Sequence, residues 1–230
     1  MNDIKKIVIL TGAGISAESG IKTFRDSDGL WEGHDVMEVA SPIGWKRNKS
    51  LVLDFYNKRR TQLLNVLPNE GHNALVLLEK QYETTIITQN VDDLHERAGS
   101  KNVIHLHGEL LKVRSSKNEN LVYNWKKTLN IGDVCEENHQ LRPHIVWFGE
   151  EVPMLDKAIV ITSKADILII IGTSMQVYPA ASLIHFIKPK TPVYFIDPKP
   201  VIQENQFPNL TIISEKASTG VLKLVTELID

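Results

Sequence analysis

The chain has 230 residues, 42% hydrophobic and 23% charged, and 26 basic residues nearly cancel 28 acidic ones to leave a net charge of −2. That balance excludes disordered, collagenous and coiled-coil chains and offers no basic excess for nucleic acid. The single cysteine, Cys135, excludes an intrachain disulfide and a cysteine zinc cluster, so a reducing, cytoplasmic compartment is expected.

The length fits one large domain, or one domain carrying an insertion. The longest unbroken apolar runs, such as Ile167–Ile171, are five residues, against about 20 needed to cross a bilayer. The first ten residues lack the apolar stretch of about 7–15 residues that a signal peptide requires. Neither a membrane nor a nucleic acid is expected as a partner.

In chain order, short Ile/Val-rich runs at 7–10, 84–88, 103–106, 167–171, 193–196 and 210–213 alternate with longer mixed segments. Unbroken apolar runs of this length suit strands buried on both faces, as in a parallel sheet. Helical periodicity appears at 73–81, 179–187 and 220–229. The alternation predicts an α/β fold, a Rossmann-like doubly wound parallel sheet. Two stretches interrupt it: 26–67 is charged and helical or looped, and 112–140 is polar. Both are expected to form a smaller inserted lobe on one domain spanning 1–230. The large lobe would take about 1–25, 70–111 and 141–230, and the small lobe about 26–69 and 112–140.

The first strand runs into Thr11-Gly12-Ala13-Gly14-Ile15-Ser16-Ala17, a G-x-G-x-x-A turn. Glycines there allow a sharp turn and close approach of a pyrophosphate to the backbone amides. A ligand-free strand-to-helix turn would read the same way. The acid that normally ends a second strand about 20 residues later is missing, because 24–31 reads as a loop. The best-placed strand-end acid is Asp197, so a plain dehydrogenase is disfavoured.

Five segments together resemble one family. Gly12-Ala13-Gly14-Ile15-Ser16-Ala17-Glu18-Ser19-Gly20-Ile21 with Thr23-Phe24-Arg25 resembles the opening signature of the sirtuins, the NAD-dependent protein deacylases. Thr88-Gln89-Asn90-Val91-Asp92-Asp93-Leu94-His95 resembles the second signature, and His107-Gly108-Glu109-Leu110 the catalytic-histidine motif. Arg142-Pro143-His144-Ile145-Val146-Trp147-Phe148-Gly149-Glu150 and Gly172-Thr173-Ser174-Met175-Gln176-Val177-Tyr178-Pro179 resemble the later ones. The motifs fall in family order across nearly the whole chain, and the bacterial class III deacylases are the most similar variant.

The resemblance implies that NAD is consumed as a co-substrate. The acyl-lysine oxygen attacks the ribose carbon bearing nicotinamide, a histidine acts as base on the ribose hydroxyls, and water completes the transfer. Free lysine, nicotinamide and acyl-ADP-ribose are the products. The same resemblance assigns His107 as base, because imidazole titrates near neutral pH. His105, two residues earlier, would share its side of a strand. Asn90 and Asp92 are assigned to the nicotinamide end, although either would also cap the following helix. Gly12, Ala13, Gly14, Ser16, Ala17, Glu18, Thr23, Phe24, Arg25, Trp31, Gln89 and Val91 are implied to bind the co-substrate as well. On the later segments Gly172, Thr173, Ser174, Phe195, Ile196, Asp197 and Ala217 join them. Arg25 would stand near phosphate, Phe24 would shield the sugar, and Phe195 stands where relatives often have Asn.

Tyr56 and Arg59 share a helix face at three residues apart, where they would clasp a carboxylate or form an ordinary amphipathic surface. The resemblance favours reading the distal carboxylate of succinyl- or malonyl-lysine, with Ala40 leaving room. Val146, Phe148, Gly149, Glu150 and Val177 would flank the acylated peptide, pairing with it as strands. A monomer acting on acylated lysine side chains of proteins is expected.

Most sirtuins hold zinc between two cysteine pairs in the small lobe. Here Ser115 and Ser116 stand where the first pair would lie, and only Cys135, His139 and His144 follow. No metal is expected, and Leu121, Tyr123, Trp125, Leu129 and Ile131 would form an apolar cluster in its place. The alternatives are protein mono-ADP-ribosyl transfer from the same NAD site, or a non-catalytic NAD- or acyl-lysine-binding module.

Overall fold

The computed structural model describes residues 4–22, 30–31 and 33–230. β1 (Lys6–Thr11) leads through a 3-10 helix (Ala13–Ser19) to the short β2 (Leu30–Trp31) and β3 (His34–Asp35). Then come α1 (Val36–Val39), α2 (Pro42–Arg47), α3 (Lys49–Leu64), α4 (Glu70–Leu78), β4 (Glu83–Thr88), α5 (Leu94–Ala98) and β5 (Val103–His105). β6 (Gly108–Ser115), β7 (Val122–Asn124) and β8 (Leu141–Ile145) follow, with α6 (Leu155–Thr162) and β9 (Ile167–Ile171). A second 3-10 helix (Ala180–Phe186), β10 (Val193–Ile196), β11 (Leu210–Ile213) and α7 (Ala217–Ile229) complete the order. No helix among the described residues is long and apolar enough to cross a membrane.

β11, β10, β9, β1, β4 and β5 form one sheet in that order, every neighbouring pair parallel. Alternate residues explain the unbroken apolar runs. Ile7, Ile9, Ile169 and Ile171 pack on one face with α4 and α7, through Leu75, Leu78, Val221 and Leu224. Val8, Leu10, Leu168 and Ile170 pack on the other with Ala158 and Leu183. This is the doubly wound α/β architecture the sequence predicts.

The small lobe has its own core, in which Trp45, Phe55, Tyr56, Leu129, Cys135, Leu141 and Trp147 are buried. Its antiparallel sheet, ordered β7-β6-β8, begins at Gly108 and ends at Ile145. The sheet therefore extends on both sides of 112–140, because an antiparallel ladder needs both flanking arms. The Asn48 side chain caps α3 by accepting from the Leu51 amide. Val52, Phe55, Tyr56, Arg59 and Leu63 then recur at helical spacing on its buried face, which puts Tyr56 and Arg59 together on the wall of the lobe.

The apolar cluster expected here forms in part. Leu129 is buried, and Leu121, Tyr123 and Trp125 pack against the core, but Ile131 is 59% exposed because it sits in a turn. Polar staples do much of the holding. Asn57 exchanges two 2.9 Å hydrogen bonds with the Leu129 backbone. Gln140 donates to the Asn130 and Asp133 carbonyls and accepts from the Gly132 amide.

Candidate functional site

A cavity of about 540 Å³ opens at the carboxyl ends of β1, β4, β9 and β10, between the two lobes. This is where open α/β sheets place their ligands, and the volume suits a small molecule. Its floor is two interlocked turns. The Gly14 amide donates to the Gly172 carbonyl at 2.8 Å, and a Cβ at Gly14 would stand 2.5 Å from the Gly172 Cα. Gly172 has φ +60°, which glycine alone adopts without strain. Gly12, Ala13, Gly14, Ala17, Gly172, Thr173 and Ser174 all line this floor.

One wall comes from the loop after β4. Gln89, Asn90, Val91 and Asp92 line the cavity, and Gln89 donates to the Thr173 hydroxyl at 3.1 Å. Asn90 donates its side-chain amide to the Gly12 carbonyl at 3.1 Å and to Ser16 Oγ at 3.3 Å. Asp92 accepts from Ser16 Oγ at 3.0 Å and from the Leu94 amide at 3.2 Å, so it holds the first amide of α5 from outside the helix, whose N-cap residue is Asp93, while also facing the cavity. Burial pushes the Asp92 carboxyl above its usual range. Ser16 does not line the cavity; the 3-10 helix turns it inward, fully buried, where its hydroxyl fixes Asn90 and Asp92.

His107 closes the next side. β5 stops at His105, so the two histidines do not sit on one strand as expected. His105 turns to Glu96 at 2.7 Å and the Asn90 carbonyl at 3.0 Å, away from the cavity. His107 Nδ1 lies 3.0 Å from the Gln89 carbonyl oxygen. A carbonyl only accepts, so Nδ1 carries the proton and Nε2 keeps a free lone pair. Burial holds the ring below the ordinary histidine range, opposed by its bond to Gln89.

The small lobe supplies the far end through Trp31, Ala40, Tyr56 and Arg59. The Arg59 guanidinium carbon stands 4.2 Å over the Trp31 ring. Ala40 is buried, and its carbonyl accepts from the Phe148 amide at 3.0 Å. Val146, Phe148, Gly149, Glu150 and Val177 line the cavity too, on irregular backbone, so the expected flanking strands are not pre-formed. The Glu150 carboxylate is already engaged by Arg142, Arg114 and the Trp147 amide, so it braces the turn.

Not every expected residue arrives. Thr23, Phe24 and Arg25 lie outside the described residues. Phe195 and Ile196 point into the two faces of the sheet core, because alternate strand residues must, and neither lines the cavity; Asp197, the next residue, does. Ala217 is buried beneath α4. Glu18 accepts from the Ser218 amide and hydroxyl at 3.0 and 2.8 Å, tying the first turn to α7. The cavity also takes in Trp147, Leu110 and Ile145, which sequence reasoning passed over. All three stand inside the recognised motifs.

No group of three or more His, Cys, Asp or Glu among the described residues could hold a metal ion. Cys135 instead contacts Ser115 Oγ at 3.4 Å. The zinc that the resemblance implies does not fit these residues, since a structural site needs four closely spaced Cys or His ligands.

Fold and site define a Rossmann-like α/β protein whose cleft is completed by a second lobe. The Sir2 family profile matches residues 12–179. The chain is 60% identical over 228 residues to an NAD-dependent protein deacylase of Helicobacter pylori (strain ATCC 700392 / 26695), covering 99% of each chain. It is 50% identical over 232 residues to one from Bacteroides thetaiotaomicron, covering 98% of this chain and 99% of that one. Among solved structures, a Sir2 homologue–NAD complex aligns at 39% identity with a TM-score of 0.87, covering 99% of this chain and 90% of that one. The chain belongs to the Sir2 family.

Proposed function

We propose that this chain is an NAD-dependent protein deacylase that removes succinyl and malonyl groups from lysine, and acetyl groups as well. The observation that carries this reading is one cavity lined at one end by Asn90, Asp92 and His107 and at the other by Ala40, Tyr56 and Arg59. The similarity to the H. pylori protein, named an NAD-dependent protein deacylase, supports the activity.

NAD, when bound, supplies an electrophilic ribose carbon with nicotinamide as its leaving group. The glycine floor gives close approach for its phosphates, and Thr173 and Ser174 add hydroxyls. Asp92, acceptor-only when ionised, orients a carboxamide NH₂. His107 Nε2 takes a hydroxyl proton. Its Nδ1–H, held by the Gln89 carbonyl, keeps the ring in that tautomer and supports the positive charge it gains. Tyr56 and Arg59 meet an acyl carboxylate, Arg59 through charge-assisted hydrogen bonds. The small side chain of Ala40 leaves space for it.

Arg59→Met keeps length and removes charge. The kcat/KM ratio of succinyl- to acetyl-peptide is expected to fall by about 10- to 100-fold. An unchanged ratio would sink the carboxylate assignment.

The lobe that holds Cys135 and Ser115 is read as metal-free. Purified protein should carry far less than one zinc per chain by elemental analysis. EDTA should leave both melting temperature and turnover in place. Stoichiometric zinc would contradict this.

A further inference from the structure

The segment Arg142–Glu150 carries a device that the binding of acyl-lysine does not by itself require. The Glu150 carboxylate takes Arg142 Nη1 at 2.6 Å and Nη2 at 3.1 Å, Arg114 Nη2 at 3.3 Å, and the Trp147 amide at 2.9 Å. The Arg142 guanidinium carbon so held stands 3.3 Å from the Trp147 ring centroid. Trp147 also meets Trp45, with ring centroids 5.7 Å apart and the rings tilted by 45°. A ring clamped this way, and 2% exposed, has little freedom to turn.

That fixed ring aims its N–H at Tyr56 Oη, 3.0 Å away. An indole nitrogen can only donate, whereas a phenol has one proton to give and lone pairs to receive. Tyr56 Oη therefore accepts from Trp147, and its own proton must go elsewhere. No acceptor for that proton is found among the described residues. Tyr56 and Arg59 are one helical step apart on the same cavity wall.

We propose that Trp147 is a positioning residue: it fixes Tyr56 as a hydrogen-bond donor into the cavity, so that the Tyr56–Arg59 pair selects an acceptor-only group, the distal carboxylate of the acyl chain. This rests on the carboxylate-reading role proposed for Arg59 and adds the residue that sets the direction of the neighbouring hydroxyl. A neutral acetyl group has nothing to offer that donor at the same depth. In this role Trp147 works through the hydroxyl of Tyr56.

Trp147→Phe keeps an aromatic ring beneath Arg142 and removes the N–H. The ratio of KM for succinyl-peptide to KM for acetyl-peptide is expected to rise about tenfold, with the loss falling on KM rather than kcat. In a Tyr56→Phe background the same change should leave that ratio where Tyr56→Phe alone puts it. If Trp147→Phe is poorly folded, benzothienylalanine at position 147 keeps the bicyclic ring without the N–H and is read the same way. An unmoved ratio, or a tenfold rise that persists without the Tyr56 hydroxyl, overturns the proposal. Arg59→Met separates the two ideas. Loss of succinyl preference in Arg59→Met, without it in Trp147→Phe, removes only the role of Trp147. No loss in Arg59→Met removes the carboxylate pocket itself.

Discussion

Replacing His107 with Asn is expected to lower kcat on every acyl-lysine peptide by about 10²- to 10⁴-fold, the range a positioned base contributes. The reason is local. His107 Nδ1 is committed to the Gln89 carbonyl, which leaves Nε2 as the basic nitrogen on the cavity wall. His105 does not replace it, because it is held by Glu96 and the Asn90 carbonyl. Burial lowers the His107 pKa below its ordinary 6.5, so the ring stays neutral and basic under mildly acidic conditions. The acid limb of the kcat/KM profile in the wild type should accordingly fall below pH 6.5, and disappear in His107→Asn. A variant within tenfold of wild type would show that the proton goes elsewhere.

The second large effect concerns stability. His72 and His95 are fully buried with ring centroids 4.9 Å apart. They stand behind the site, His72 near Ser16 Oγ at 3.5 Å and His95 on Thr11 Oγ1 at 3.0 Å. Burial pushes His72 down to about 4 from the unfolded value of 6.5, so the unfolded chain takes up that proton first. The stability this histidine contributes is full above pH 6.5 and is lost as pH falls toward 4. At about 1.4 kcal/mol per pH unit, His72 alone removes about 2 kcal/mol between pH 6.5 and 5. Burial also lowers His95 well below its usual range, in the same direction. Asp92 works the other way, since burial raises its carboxyl. Urea unfolding at pH 7 and pH 5 should show the wild type losing about 2 kcal/mol more than His72→Gln. Equal losses in the two proteins would mean that the pair is charged or solvated in the fold.

The six strands of the main sheet are legible in the sequence because burial on both faces leaves an unbroken apolar run, and turn residues mark each end. The co-substrate end of the cavity is legible for a related reason: its glycines and the polar Gln89, Asn90 and Asp92 are residue types that an apolar core does not call for. What escapes is the direction of individual side chains. His107 reads as strand, yet the chain must bend at Gly108, where φ is +83° and a Cβ would meet the His144 carbonyl oxygen at 2.1 Å. That bend separates His107 from His105. The resemblance implies that Ser16 binds the co-substrate, but the 3-10 helix carries it inward to Asn90 and Asp92. Phe195 and Ile196 obey the strand alternation that sends them into the core. Trp147 and Arg142 lie within a recognised motif, but their stacking appears only when β8 folds back beside α3. Residues 179–187 read as helix from their spacing and form a 3-10 helix over Ala180–Phe186, a tighter turn that keeps Leu183 and Ile184 buried.

The most direct measurement is product analysis by mass spectrometry after incubation with NAD and a succinyl-lysine peptide. Free lysine peptide, nicotinamide and succinyl-ADP-ribose are expected in equal amounts, with no reaction when NAD is left out. Release of free succinate without NAD consumption, or ADP-ribose attached to protein in place of deacylated peptide, would contradict it.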